Sequence, residues 1–232
     1  MWIWNALADQ RRQLVSLLDR LDGTQWHTPS LCKGWRVREV VGHIVTPFET
    51  SMPSFFLRLM ANRFSIDKTL DRVAKELSRC PTSELTSVLR LNIDNRLTPP
   101  GIGPEGGLAD LVIHTQDICR PLGVPPILDE EKARFLLDQF IKGDGRRFFN
   151  PVWRALRLTP KPSPSAMASG FHLVAEDLDW SMGDGPDVRG TGEALLMCFA
   201  GRHVALVDLK GEGVDQLRAK LGDTSFLRRF ER

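Results

Sequence analysis

The chain has 232 residues, 42% of them hydrophobic and 26% charged, with a formal net charge of +2. That length can bury a core without disulfide staples, and the near-neutral balance excludes the strongly basic surface that nucleic acid or an anionic membrane would call for. Cys32, Cys80, Cys119 and Cys198 are scattered, with no CxxC pair, and read as reduced thiols that mostly fill core.

The first residues, MWIWNALADQRRQLVSLLDRL, lack the basic stretch and long apolar run of a signal peptide. No apolar run approaches the ~18 residues that a membrane helix needs, so a soluble, cytoplasmic protein is expected. Leu7, Leu14, Leu17, Leu18 and Leu21 recur at helical spacing and predict a helix from Trp4 to about Leu21, closed by Asp22-Gly23. A connector with Pro29 and Gly34 follows, TQWHTPSLCKGW. A second helix starts near Val37, where Val37, Val40, Val41, Ile44 and Val45 mark one face, and Pro47 and Pro53 are expected to kink or interrupt it.

Two more helices are expected near Asp67 to Ser78 and Ser83 to Asn95, whereas LTPPGIGPEGG, Leu97 to Gly107, reads as irregular. LADLVIHTQDICRPLG, Leu108 to Gly123, is an amphipathic helix stopped by Pro121-Leu122-Gly123. Another spans about Asp129 to Lys142, opened by three acidic residues that suit the positive end of a helix dipole. Up to about Leu156 the pattern is that of a helical bundle. LTPKPSPSAMASG, Leu158 to Gly170, reads as a linker. The tail then changes character: a strand at Phe171 to Ala175, a turn at Gly183-Asp184-Gly185-Pro186, a helix over Thr191 to Ala200, a strand at His203 to Leu209 and a last helix from Val214 to about Leu221. The expected division is residues 1–157, a bundle, and 158–232, a small α/β domain.

The helix from Leu108 sets Asp110, His114 and Asp117 in one line beside its apolar face. Residues four apart share a helix face, so Asp110 and His114 can aim at one point and together bind a divalent ion. A helix-edge hydrogen bond between them, or a solvated face, is the plainer alternative. His43, just past the Val40 edge of the second helix, stands at the margin of the bundle core, where it can face the Asp110/His114 edge or serve as a hydrogen-bonded boundary histidine. Asp117 fits either a carboxylate that orients a ligand or a surface partner of Arg120.

The segment TQWHTPSLCKGWRVREVVGHI resembles the amino-terminal signature of the mycothiol-dependent maleylpyruvate isomerase family, in the DinB-like helical-bundle superfamily. The shared features are a tryptophan, Leu-Cys, Gly-Trp and a helix carrying Gly-His. The helix from Leu108 is similar to the family's second metal segment, an acidic residue and a histidine four apart followed by Asp-Ile-x-Arg, and DLDWSMGDGPDVRGTGEALLMCFAGR is similar to its carboxy-terminal region. The resemblance implies a DinB-like four-helix bundle followed by a small α/β carboxy-terminal domain, with a metal site of His43, Asp110 and His114. One departure bears on that site: the family pattern has Glu where this chain has Asp110.

Two histidines and a carboxylate leave an open position on a zinc ion, and an open zinc favours the thiolate of a bound thiol. The resemblance therefore implies a divalent metal, zinc above all, with mycothiol as cosubstrate. The metal-activated sulfur would add to a conjugated double bond, allow rotation and leave, or be transferred to another electrophile. Partners are thus a small thiol and an electrophilic substrate, with neither nucleic acid nor membrane, and a homodimer is one option for the assembly. Arg189 and Arg202 are candidates to bind a carboxylate of thiol or substrate, and Trp35 and Trp180 to line a pocket, against the plainer readings of solvated arginines and core tryptophans. Cys32 has its own alternative as a nucleophilic or redox thiol. Competing functions are a non-catalytic DinB-like binding or stress-response protein and a metal-dependent hydrolase.

Overall fold

The computed structural model of the chain describes residues 1–98, 102–143 and 163–222. It is mostly helical, with one small sheet towards the carboxy terminus. Two compact units result: Met1–Pro100 with Asp110–Ile127, and Gly101–Ala109 with Leu128–Arg232. The helix opened by Asp129 groups with the second unit, and the expected boundary at 157/158 lies outside the described residues.

In the first unit, α1 (Trp2–Leu18) buries Leu7, Leu14, Leu17 and Leu18 along one stripe. Gln25–His27 forms a single 3-10 turn, and the connector ends in a bridge between Pro29 and Arg36. Helix α2 (Val37–Glu49) buries Val37, Val40, Val41, Ile44 and Val45 and packs on α4 (Ile66–Leu77) and α5 (Thr82–Leu91), while α1 also packs on α5. Its start is fixed by Glu39, whose carboxylate accepts the Arg36 peptide N–H at 2.7 Å and the Arg36 guanidinium at 2.6 and 3.1 Å. Gly42 lets α2 approach α4 closely: a Cβ there would lie 2.6 Å from the Ala74 carbonyl oxygen. Pro47 does not end the helix, which runs on to Glu49; it only removes the amide that would bond the His43 carbonyl.

Pro53 begins a helix that periodicity missed, α3 (Met52–Ala61). Ser51 caps it by accepting the Ser54 N–H, and Pro53 stands in its first turn, where a missing N–H costs nothing. Helix α6 (Pro104–Leu122) starts inside the stretch expected to be irregular, with Pro104 and Glu105 as a regular helix opening. Residues 99–101 of that stretch lie outside the described residues. Within the first unit α6 contributes Leu111, Val112, Ile118 and Cys119 to the core. The end of the unit is tied down by Gln10 and Gln116, which both donate to the Ile127 carbonyl. Arg11, nearly buried, donates to the carbonyls of Asn92, Ile93 and Asn95 after α5 and so closes that helix end.

In the second unit, α7 (Glu130–Leu136) is capped by Asp129 and continues as a π-helical turn over Leu137–Lys142. Of the expected linker, residues 158–162 lie outside the described residues; the rest holds a short helix, α8 (Pro164–Ala168), capped by Ser163. The sheet has the order β2-β1-β3. Strand β1 (His172–Ala175) pairs antiparallel with β2 (Trp180–Met182), Ala175 opposite Trp180, and parallel with β3 (Asp187–Gly190), His172 opposite Asp187. The expected turn lies between β2 and β3, and Gly183 at φ +82° and Gly185 at φ +138° occupy backbone conformations that other residues rarely adopt. After α9 (Gly192–Phe199), the strand expected at His203 to Leu209 is instead a 3-10 helix, His203–Asp208. There Val204 and Val207, three residues apart, face outward while Ala205 and Leu206 are buried, a three-residue repeat that alternation cannot produce. Helix α10 (Val214–Gly222) ends the described chain.

Candidate metal centre

The connector before α2 is shaped by a turn in which Trp35 N–H bonds the Cys32 carbonyl at 3.0 Å and Gly34 takes φ +76°. A positive φ at the third turn position is what glycine supplies at no cost. Ser30 closes the loop by donating its hydroxyl and its peptide N–H to the Trp35 carbonyl. The Leu31 N–H bonds the Asp117 main-chain oxygen at 3.2 Å, which ties this loop to α6.

That tie brings together residues from three places in the sequence. His43 from α2 and His114 from α6 stand edge to face, ring centres 4.7 Å apart. Asp110, one turn before His114, puts Oδ2 3.6 Å from His43 Nε2 and Oδ1 3.5 Å from His114 Nε2. These separations are longer than hydrogen bonds, whose usual range ends near 3.2 Å. They fit ligands sharing one ion: bonds of ~2.1 Å in a tetrahedral arrangement place donor atoms about 3.4 Å apart. Asp110, with a side chain 54% exposed, opens this corner to solvent, while His43 and His114 are largely buried.

The other side of His114 differs. Its Nδ1 lies 2.9 Å from Asp117 Oδ2, and the Cys32 thiol donates to that same oxygen at 3.1 Å. Cys32 Sγ is 3.6 Å from His114 Nδ1. Cys32, His114 and Asp117 are therefore a second group of possible ligand types, but all three of their separations are direct hydrogen bonds. With a carboxylate as partner, Nδ1 is the protonated nitrogen, and the Nε2 lone pair is left pointing at the His43/Asp110 corner. Asp117 is fully buried, so it is not the surface residue of the alternative reading. His43 has no such support: its Nδ1 is buried without a hydrogen-bond partner among the described residues.

Trp35 walls the site, its ring centre 5.4 Å from that of His43 and 6.4 Å from that of His114. Its indole N–H donates to Asp71 of α4 at 2.8 Å, and Lys75 bonds the same carboxylate at 2.7 Å. Burial pushes the Asp71 carboxyl up, but the bonds from Lys75 and Trp35 outweigh it and leave the group below its ordinary value. A cleft of about 430 Å³ lined by Gly34, Arg36, Arg38, Glu39, Lys75, Ser78 and Arg79 lies on the flank of the Trp35 turn, and none of the candidate ligands lines it.

The remaining candidates belong to the second unit and already have partners there. Arg189 gives Nε and Nη2 to Asp187 at 2.8 and 2.7 Å, and Arg202 donates to the Ala200 carbonyl at 2.8 Å. Trp180 is a core residue whose indole N–H bonds Asp138. No helical spacing in the sequence relates Asp71 to Trp35, or relates Cys32, expected as a reduced core thiol or alternatively a reactive one, to His114. Of the four cysteines, Cys119 and Cys198 are the buried core fillers, and burial pushes the Cys198 thiol up to about 12.

Comparison with known proteins gives a family match over part of the chain and a likeness of fold. Residues 7–98 match the family described as the mycothiol maleylpyruvate isomerase N-terminal domain. The chain is also similar to a solved structure titled as the mycothiol-dependent maleylpyruvate isomerase, with a TM-score of 0.52 at 12% identity over 90% of this chain and 91% of that one. At that identity the likeness is one of fold. No curated protein matches. Among the described residues, no helix is long and apolar enough to cross a membrane.

Proposed function

Starting from a mycothiol maleylpyruvate isomerase N-terminal domain at residues 7–98, we propose that this chain is a divalent-metal enzyme, zinc being the expected ion. It would use a low-molecular-weight thiol of the mycothiol class to attack an electrophilic small molecule, as an isomerase or an S-transferase. The observation that carries the reading is the arrangement of His43 Nε2, Asp110 and His114 Nε2 at 3.5 and 3.6 Å, set at a solvent-facing corner.

The donor set suits the ion. Two imidazole nitrogens and one carboxylate are the ligands of open, catalytic zinc sites, and a bound ion of this kind supplies positive charge that favours a thiolate over a thiol. The residues do the rest of the positioning. Asp117 accepts the hydrogen bond from the Nδ1–H of His114 and so leaves Nε2 for ligation. Asp110 lies between the two rings with one oxygen towards each, at separations that suit ligands of one ion. Trp35, locked by Asp71, gives the thiol an apolar wall and limits water at the histidine edge.

Elemental analysis of the purified chain tests the proposal. The expected result is close to one divalent ion per chain, lost in His114→Ala, and mycothiol binding that depends on the ion. Absence of metal from the wild type contradicts the proposal. Metal without thiol binding moves the assignment to the hydrolase reading, with water as the activated group.

A further inference from the structure

Asp117 poses a physical problem that its bond to His114 does not solve alone. A carboxylate with no solvent exposure must recover its lost hydration from donors, and its Oδ2 receives two: the His114 Nδ1–H at 2.9 Å and the Cys32 S–H at 3.1 Å. The main chain reinforces the same contact, since the Leu31 N–H, one residue before Cys32, bonds the Asp117 carbonyl. Side chain and backbone of the Cys32 turn thus both land on one residue of α6. The turn geometry allows this only because Gly34 takes φ +76°, which returns the chain to Trp35.

We propose that Cys32 is a positioning residue: through Asp117 its thiol holds the His114 ring with Nε2 turned to His43 and Asp110. The proposal rests on reading that triad as a metal centre. A single acceptor atom shared by two donors is held in the plane that both can reach. Loss of the thiol takes one of these two donors from Oδ2 and weakens the constraint that selects one imidazole nitrogen for the proton. Cys32 is not itself assigned as a ligand, because its 3.1 Å approach to Asp117 is a hydrogen bond, whereas the spacings around Asp110 are those of ligands. Nor is it a nucleophile in this account. The sulfur that reacts belongs to the small thiol.

The test uses the full chain as wild type, Cys32→Ala, Cys32→Ser, Asp117→Asn and the Cys32→Ala/Asp117→Asn double variant. Zinc affinity is measured by competition with a chromogenic chelator, and the His114 ring tautomer in metal-free protein by ¹⁵N-edited NMR. Cys32→Ala should weaken zinc about 10-fold, the lower end of what loss of a ligand's supporting partner costs. Cys32→Ser, which keeps a donor, should bind close to wild type, and the double variant should bind no more weakly than Asp117→Asn, because the 3.1 Å bond to that carboxylate, and not the 3.6 Å contact with His114 Nδ1, carries the effect. In NMR the wild type should show the Nδ1–H tautomer alone and Cys32→Ala a mixture, with Cys32→Ser restoring the single form. Unchanged affinity and tautomer in Cys32→Ala overturn the proposal, as do additive losses in the double variant. Failure of the wild type to bind zinc removes the metal reading instead; the tautomer then decides for Cys32, a single Nδ1–H form in Cys32→Ala overturning its role.

Discussion

At residue 110 a carboxylate faces two imidazoles, with one oxygen 3.5 Å from His114 Nε2 and the other 3.6 Å from His43 Nε2. If that placement serves a metal, Asp110→Ala should cut zinc affinity at least about 10-fold while Asp110→Glu retains binding, both read by chelator competition. The opposite order, tight binding in Asp110→Ala, would mean that the carboxylate points at the site without serving it. Glu39, one turn before His43, carries a pH prediction. Burial pushes its carboxyl up, yet the Arg36 guanidinium and N–H, with the Ser78 hydroxyl, more than reverse this and hold it below the ordinary 4.5. A carboxyl lowered by folding stabilises the native state above its unfolded pKa, and that contribution drains away as pH falls through the folded value. The urea midpoint of the wild type should therefore drop below pH 4.5, and drop less in Glu39→Gln. Of the site itself, the Asp110/His114 pair was legible because helical spacing is local. His43 became their partner only through the family resemblance, since nothing local says which helix faces α6. The Cys32–Asp117 bond was illegible, because it depends on a turn folding back onto a helix 85 residues away.

Among the elements, α2 does most to place the site, and its closeness to α4 depends on Gly42. Gly42→Ala would drive a methyl to 2.6 Å from the Ala74 oxygen, which is backbone and cannot swing aside. The expected cost is about 1–3 kcal/mol in chemical denaturation, as for other overpacked positions, together with weaker zinc binding because His43 is the next residue. Helix α3 is the opposite case. It buries no residue completely and exposes Phe56 and Leu57 by more than half. Phe56→Ser and Leu57→Ser should each change stability by no more than about 0.5 kcal/mol in the same assay. The same contrast explains what periodicity could read. Helices α1, α2, α4 and α5 each bury one stripe, and a stripe leaves a pattern. Helix α3 has apolar residues on most of its surface and buries none of them, so Pro53 looked like an interruption when it is a start. The His203–Asp208 segment failed for a related reason: its valines suit a strand by propensity, but burial falls on a three-residue repeat.

For the whole molecule, the order of a helical part followed by a small mixed part was visible in the change of composition near Leu158. The compact units divide at residue 127, with Gly101–Ala109 also joining the second. A long helix such as α6 shows no seam in its sequence where one unit ends and the other begins. The first unit nevertheless holds every candidate ligand and every supporting residue, Cys32, Trp35, Asp71 and Asp117 included, so the proposed chemistry can be tested at one place. X-ray absorption at the zinc edge of the metal-loaded chain tests the central claim most directly. The account predicts a first shell of nitrogen and oxygen only, at about 2.0–2.2 Å with imidazole scattering, and a sulfur near 2.3 Å that appears only when a small thiol is added. Failure to take up zinc would contradict it, and so would a sulfur ligand before any thiol is present, which would put the ion on Cys32 instead of between His43, Asp110 and His114.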